Sequence, residues 1–440
     1  MTLLRSKVTL PILLLQALIF LAIVSPPFVI DSILGKGEVL EFETSDDNFR
    51  KITYLIIFAI AVANLLGHRV TTCAAIGAVN PWLVIFLAYI GFSALSSAEV
   101  IISMKRAFLL LVTAIVSLSF VARSADQNGA NDRLSGAVRP LVTILVAASL
   151  IYSASLPQIG ITSDGAWRGL TFDKNTFGQV AALATILWMI ALRESAVSFG
   201  YGVLMLAVSM LAVLLSQSTT SMVACLGVGF GLLVFHCFAS FVREFTATDR
   251  PATGGAVCLL ALLTAILLGH VLAVFLSFPA PLDLLKGAVS YFGKDLTLTG
   301  RTYLWQLMWD EIMRHPWFGV GYHAFWASLD PNSEFRTSFT GGRGYGHNGY
   351  LDILNELGIV GFILMMAVIL SHTRNILLLH ISYPRRAESH ALLLLCALFL
   401  NFTETTLFQP TTLWSTIIMI SVVDTSFAAA KLRKRELSFS

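Results

Sequence analysis

Runs of about twenty apolar residues recur along this chain, each near the length that crosses the hydrocarbon layer of a bilayer. They lie near 8–30, 52–67, 75–96, 103–121, 138–156, 175–192, 199–215, 220–241, 256–278, 349–370, 389–405 and 411–429. Hydrocarbon offers no water to backbone N–H and C=O groups, so runs this long span as helices, which satisfy those groups internally. With 56% hydrophobic and only 12% charged residues among 440, little sequence remains for a separate soluble core. The expected fold is all-α: one polytopic integral membrane domain over residues 1–440 with about twelve transmembrane helices. The third run is interrupted by Asn80-Pro81, which either kinks the helix or marks its start. The first run follows Arg5 and Lys7 and is too long for a signal-peptide core, so it reads as a retained span. Cys73, Cys225, Cys237, Cys258 and Cys396 fall in or beside apolar runs without metal-like spacing and read as small buried hydrophobes.

Orientation follows from the placement of Lys and Arg. With the N-terminus cytoplasmic, sixteen of the 29 basic residues fall on inside segments and seven on short outside loops. The other six lie in the loop from about 279 to 348, long enough to translocate whatever its charge. Both termini are then expected inside and that loop outside. A net charge of +3, spread between apolar runs, gives no footing for nucleic acid.

The outside loop gathers the polar chemistry. Arg301, Asp310, Glu311, Arg314, His315, His323, Arg343 and His347 crowd there, with four of the eight tryptophans, Trp305, Trp309, Trp317 and Trp326. Leu304, Leu307, Met308 and Ile312 recur with helical spacing, which predicts a short amphipathic helix over Arg301–Arg314, lying at the outer interface and held by indoles. His315-Pro316 should end it, since the residue before proline avoids the helical region. His347-Asn348 stands just before the tenth run, where Asn348 can cap the helix and His347 can act as a base, because imidazole titrates near neutral pH.

His347-Asn348, nine residues, then Gly358-Ile-Val-Gly361 resembles the signature of the O-antigen ligase and Wzy-type polysaccharide polymerase superfamily, including ExoQ-like exopolysaccharide polymerases. The resemblance extends to Gly300-Arg301-Thr302 with Leu304-Trp305, and to Asp173-Lys174-Asn175 after Trp167-Arg168-Gly169, covering most of residues 90–430. It departs at Ser216-Gln-Ser-Thr-Thr-Ser221, where relatives often carry a basic residue and hydroxyls would have to substitute.

What the resemblance implies is glycosyl transfer from an undecaprenyl-diphosphate-linked oligosaccharide to a hydroxyl acceptor, on the periplasmic side of the bacterial inner membrane. Such transfer needs cations for the leaving diphosphate and a base for the attacking hydroxyl. Arg301, Arg168 and Lys174 are the candidates for the first role, with ordinary flanking of spans as the alternative; a phosphate could also meet the amino end of the helix that Lys174 opens. His347 is the candidate base, with His323 and His315 as rivals. Glu404, at the outer end of the eleventh run, can orient the histidine, bind sugar or pair with an arginine. Arg336 and Arg343 fit solvated loop positions. No metal-ligand spacing stands out, so no metal or other cofactor is expected. A flippase and a chain-length regulator are the implied partners of a polymerase, and the lipid bilayer is its setting. Three readings stay open: a polymerase, which the arginine and Lys-Asn motifs favour; a ligase moving finished glycan to lipid A core; and, from another class, a transporter. Carriers place ionisable residues at mid-membrane, whereas these runs look nearly charge-free.

Overall fold

The computed structural model describes residues 10–24, 48–124, 133–229, 301–329 and 345–439, and these are helical apart from short connections and one isolated bridge between Ile161 and Trp167. Among the described residues six helices are long and apolar enough to cross a membrane, or seven counting one bent pair, which makes this a multi-pass helical membrane protein. The six are α2 (Asn48–Gly67), α5 (Val100–Ser124), α6 (Arg133–Ser155), α8 (Lys174–Arg193), α13 (Gly349–Ser382) and α15 (Leu413–Phe439). The bent pair is α3 (Arg69–Ile76) with α4 (Pro81–Leu95), turned by 87°. Shorter apolar helices are α1 (Leu10–Ile23), α9 (Phe199–Leu215) and α10 (Thr219–Gly229), and α7 (Pro157–Gly160) is a single turn. α14 (Pro384–Thr403) holds the eleventh expected run.

The count of twelve spans is therefore met in part. The run at 256–278 lies outside the described residues, as do Arg336, Arg343 and 279–300 of the large loop. The third run begins at its proline: Asn80 accepts from the Trp82 amide at 3.0 Å and Pro81 opens the helix, because its missing N–H is one that no helical carbonyl would take. Exposed Leu55, Ile56, Ile144 and Ile151 belong to the spans, which leave such residues for lipid. α8, α14 and α15 carry mostly buried residues and form the centre.

The spans are not charge-free. Among α13, α14 and α15, Arg386 bonds Asp424 at 2.6 Å, His390 bonds Asp424 at 3.1 Å and Ser421 at 2.8 Å, and Ser421 lies 3.2 Å from His372. His372 and His390 are fully buried, so an absence of ionisable groups from the spans no longer speaks against a transporter.

α11 (Arg301–Arg314) forms where the spacing predicts it and ends before His315-Pro316. It does more than float at an interface. Leu304, Met308 and Ile312 pack with Leu351 and Leu354 of α13, and the Trp305 indole donates to the Gly346 carbonyl at 2.8 Å. Trp326, in α12 (Ala324–Ser328), is also turned inward, whereas Trp317 and Phe318 stay exposed, as interfacial anchors would.

α13 is broken at Gly358, whose φ of 65° and ψ of −168° are not helical. The break frees backbone groups that must find other partners in a buried setting, and the strap from Pro316 to Gly321 supplies them. Val320 and Gly321 donate to the Asn355 and Glu356 carbonyls at 3.0 and 2.9 Å, and Ile359 and Val360 donate to the Pro316 and Trp317 carbonyls at 2.8 and 3.2 Å. The Tyr89 hydroxyl takes the Leu357 carbonyl at 2.9 Å. This clasp explains two glycine motifs at once, because strap and helix meet backbone to backbone at Gly319 and Gly358.

Candidate functional site

Asn348 caps α13, accepting from the Tyr350 and Leu351 amides at 3.1 and 3.3 Å, so the capping role falls to the asparagine. His347 is thereby left free for other work. Its backbone sits in the left-handed region at φ 51°, which turns its ring toward the end of α14. There Nδ1 meets Glu404 Oε2 at 3.1 Å, and Glu404 Oε1 accepts from Asn175 Nδ2 at 3.0 Å. Opposite an ionised carboxylate, a neutral imidazole would hold its proton on Nδ1 and present Nε2 as an acceptor. His347 and Glu404 thus form a dyad of an orienting carboxylate and an imidazole with an available acceptor. The edge of Tyr345 packs on the imidazole with centroids 5.0 Å apart.

The loop that presents His347 is fixed by Asp352, one turn into α13 and fully buried. Its carboxylate accepts from the Gly346 amide at 3.0 and 3.1 Å, from the Trp326 indole at 3.1 Å and from the Thr405 hydroxyl. Gly346 precedes His347 and Thr405 follows Glu404, so one carboxylate holds both halves of the dyad. Sequence reading missed Asp352; an acidic residue at the head of an apolar run was the signal available.

Beside the dyad lies a cavity of about 130 Å³, whose lining includes Arg106, His323, Tyr345, Glu404, Thr405 and Gln409. His323 and Glu404 were expected at the site, whereas Arg106 and Gln409 were not. His323 also has left-handed backbone, φ 57°, and its Nδ1 is 3.9 Å from Oε1 of the fully buried Glu356. Burial first, and the Arg106 charge second, push the His323 imidazole down to about 3.

A depressed histidine pKa has a definite sign for stability. Below about 6.5 the unfolded chain takes up a proton that folded His323 refuses until about 3, so stability falls as pH drops through that window. Acidification from pH 7 to 5 should lower the unfolding temperature of the wild type, and His323→Gln should remove part of that loss. An unchanged pH slope in the variant would show that His323 does not titrate differently on folding.

Of the cationic candidates, Arg168 and Lys174 are not among the described residues that line this cavity. Arg168 Nε donates to the Ile159 carbonyl at 2.8 Å, in a loop tied down by the Trp167 amide on the Leu215 carbonyl at 2.9 Å. Lys174 pairs with Asp164, whose carboxyl is held down to about 2, chiefly by hydrogen bonds from Lys174 and Thr162. Both members of that pair are over a third exposed, so it adds little to stability. Its neighbour Asn175 makes the inward contact. The amino end of α8 is already taken, because Asp173 accepts from the Asn175 and Thr176 amides at 2.7 and 3.1 Å, which leaves that end a poor seat for a phosphate. Arg301 opens α11. Ser216, Ser218 and Ser221 are buried against Gly178 and bond within their own turn, so these hydroxyls do not stand in for a phosphate-binding cation.

Residues 203–366 match a family model described as O-Antigen ligase, a stretch that takes in the His347-to-Gly361 pattern and Arg301. The chain is also 34% identical over 165 residues to the "Exopolysaccharide production protein ExoQ" of Rhizobium meliloti (strain 1021). That match covers 36% of this chain and 34% of the relative, so it spans about a third of the relative's length. Both findings support kinship with the ExoQ-like O-antigen ligase and polymerase family; the family match does not reach Arg168, Lys174 or Glu404.

Proposed function

We propose, from this kinship with the O-antigen ligase family, that the chain is a polysaccharide polymerase: it transfers a polyprenyl-diphosphate-linked glycan to a sugar hydroxyl of another lipid-linked unit, at the periplasmic face of the inner membrane. The observation that carries the reading is the His347–Glu404 dyad, 3.1 Å apart, fixed by Asp352 and bordering a cavity that Glu404 lines. In the proposed step the acceptor oxygen attacks the anomeric carbon and its proton passes to His347 Nε2. The bond to the diphosphate breaks and the diphosphate leaves on its polyprenyl carrier. Glu404 keeps the imidazole in the required tautomer and offsets the charge that develops on it.

The leaving diphosphate calls for cations, and the proposal keeps Arg301 as the first of them, with Arg168 and Lys174 supporting. Arg301→Lys should cut transfer by about tenfold or more, because it keeps the charge and loses the bidentate fork. Transfer at the wild-type rate in that variant would take Arg301 out of the diphosphate role. The reading as a whole is tested with purified protein in proteoliposomes, lipid-linked units isolated from the source cells, and chelator present to hold metal out. Long glycan still attached to the lipid is the expected product. Glycan moved only when a lipid A core acceptor is added would make the protein a ligase, and movement of intact lipid-linked units without transfer would make it a carrier.

A further inference from the structure

α13 changes its surroundings at Gly358. Every residue from Gly349 to Gly358 is buried, whereas the exposed positions of the helix begin at Ile359 and run through Ile363 and Leu370 to Arg374. That stripe is apolar until Arg374, as the lipid-facing side of a span should be. Length points to the same place. The 34 residues of α13 make a helix of about 51 Å, against a hydrocarbon layer of about 30 Å, so about 21 Å of it must stand outside. The stretch beyond Arg374 rises about 12 Å, less about one turn for the reach of a snorkelling arginine, which leaves about 14 Å at the end that bears His347. Gly349 to Gly358 has that rise. The strap marks the same level from its own side, because Ile359 and Val360 are bonded to Pro316 and Trp317. Trp317 and Phe318 are 63% and 64% exposed, and Met313 is exposed beside them with Arg314 and His315. Exposed aromatic rings flanked by basic residues suit a membrane–water boundary. Irregular backbone can lie there because Gly319, Val320 and Gly321 all donate to backbone carbonyls.

We propose that Met313, Trp317 and Phe318 are a lipid-binding surface that dips into the leaflet on the dyad's side, with the hydrocarbon edge at Gly358. The strap then sets the height of the dyad, about 14 Å above that edge. The surface is continuous with the lipid-facing stripe of α13, which is why lipid is its occupant. The contact with lipid does not depend on the dyad's being catalytic. Its consequence for transfer does rest on that reading: with a headgroup layer of about 5–8 Å, His347 stands where the hydroxyls of a glycan can reach it and a polyprenyl chain stays below.

Fluorine NMR of the full chain, labelled with fluorotryptophan in vesicles of phosphatidylethanolamine and phosphatidylglycerol, tests the contact. The Trp317 line is the one lost in Trp317→Phe, or in Trp317→Tyr if the first variant fails to fold. Two paramagnetic probes are added in turn, a lipid with a nitroxide high on its acyl chain and a water-soluble gadolinium chelate. The Trp317 line should broaden about threefold or more with the nitroxide lipid relative to the chelate. A smaller ratio overturns the proposal by placing the strap in water. Broadening by neither also overturns it, and would put the strap beneath a second copy or another part of this chain. Fluorotyrosine at Tyr345, which packs on His347, tests the height, its line being the one lost in Tyr345→Phe. Its broadening by the nitroxide lipid should be about tenfold weaker than that of Trp317, and a smaller difference overturns the height. A strap that proves wet in a protein that still transfers glycan would sink this inference and leave the enzyme reading standing.

Discussion

His347→Ala is expected to fold and insert normally while losing about two to four orders of magnitude in glycan transfer, the usual contribution of a positioned acid–base group. The two halves of that expectation have separate causes. Folding survives because Asn348, not His347, satisfies the first amides of α13, and because Asn175 still donates to the carboxylate that His347 leaves. Transfer fails because nothing else among the described residues presents an imidazole held against that carboxylate. Glu404→Gln separates orientation from chemistry. It keeps the shape of the side chain but removes the charge that stabilises a protonated ring, so kcat should fall with little change in KM. Both variants are measured by transfer from purified lipid-linked units, with thermal unfolding as the check on folding. Near-normal transfer by His347→Ala would strike out the base and leave catalysis to the cations.

What was legible in the sequence follows from the range over which each cause acts. The apolar runs show because bilayer thickness imposes a length on each helix, and α11 shows because its apolar residues repeat every three or four positions. The dyad needed more than local pattern. His347 and Glu404 are 57 positions apart, and Asn175 and Glu404 229 apart, so each was visible only as a polar residue at the outer end of a run. At Lys174-Asn175 the choice went to the charged residue, yet consecutive positions on a helix point about 100° apart, and it is Asn175 that faces inward. Asp352 and Glu356 hid in a run read for its hydrophobicity. The cavity could not be read at all, since its wall is drawn from the end of α1, the start of α5 and α8, the residue before α12, Tyr345 and the turn after Glu404.

Gly358→Ala should cost about 3 kcal/mol or more in stability, the largest loss expected from so small a change, and should take the cavity beside the dyad with it. The backbone at Gly358, φ 65° and ψ −168°, lies in a region essentially reserved for glycine, where a side chain costs on the order of 1–3 kcal/mol. Space is the second obstacle. A Cβ there would stand 2.4 Å from the Trp317 carbonyl and 2.5 Å from the Phe318 nitrogen, and these are backbone atoms of the strap that cannot swing aside. Pushing the strap away strains four backbone hydrogen bonds, each worth about 0.5–1.5 kcal/mol net. The strap runs directly into Tyr322, whose hydroxyl holds the Phe408 carbonyl at 2.8 Å, and into His323 on the cavity wall. Damage at the helix break is therefore expected to reach the cavity. Gly319→Ala attacks the same clasp from the other side, since its Cβ would meet the Glu356 backbone at 2.4 Å, and the double variant should lose less than the two single losses added, because each breaks what the other relies on. Gly91→Ala is the control: it sits inside α4 with open space at its Cβ, and should be neutral or gain up to about 1 kcal/mol. Thermal unfolding of these variants and the wild type in one detergent decides it. A Gly358→Ala protein that unfolds with the wild type would mean that the strap and the broken helix do not hold one another.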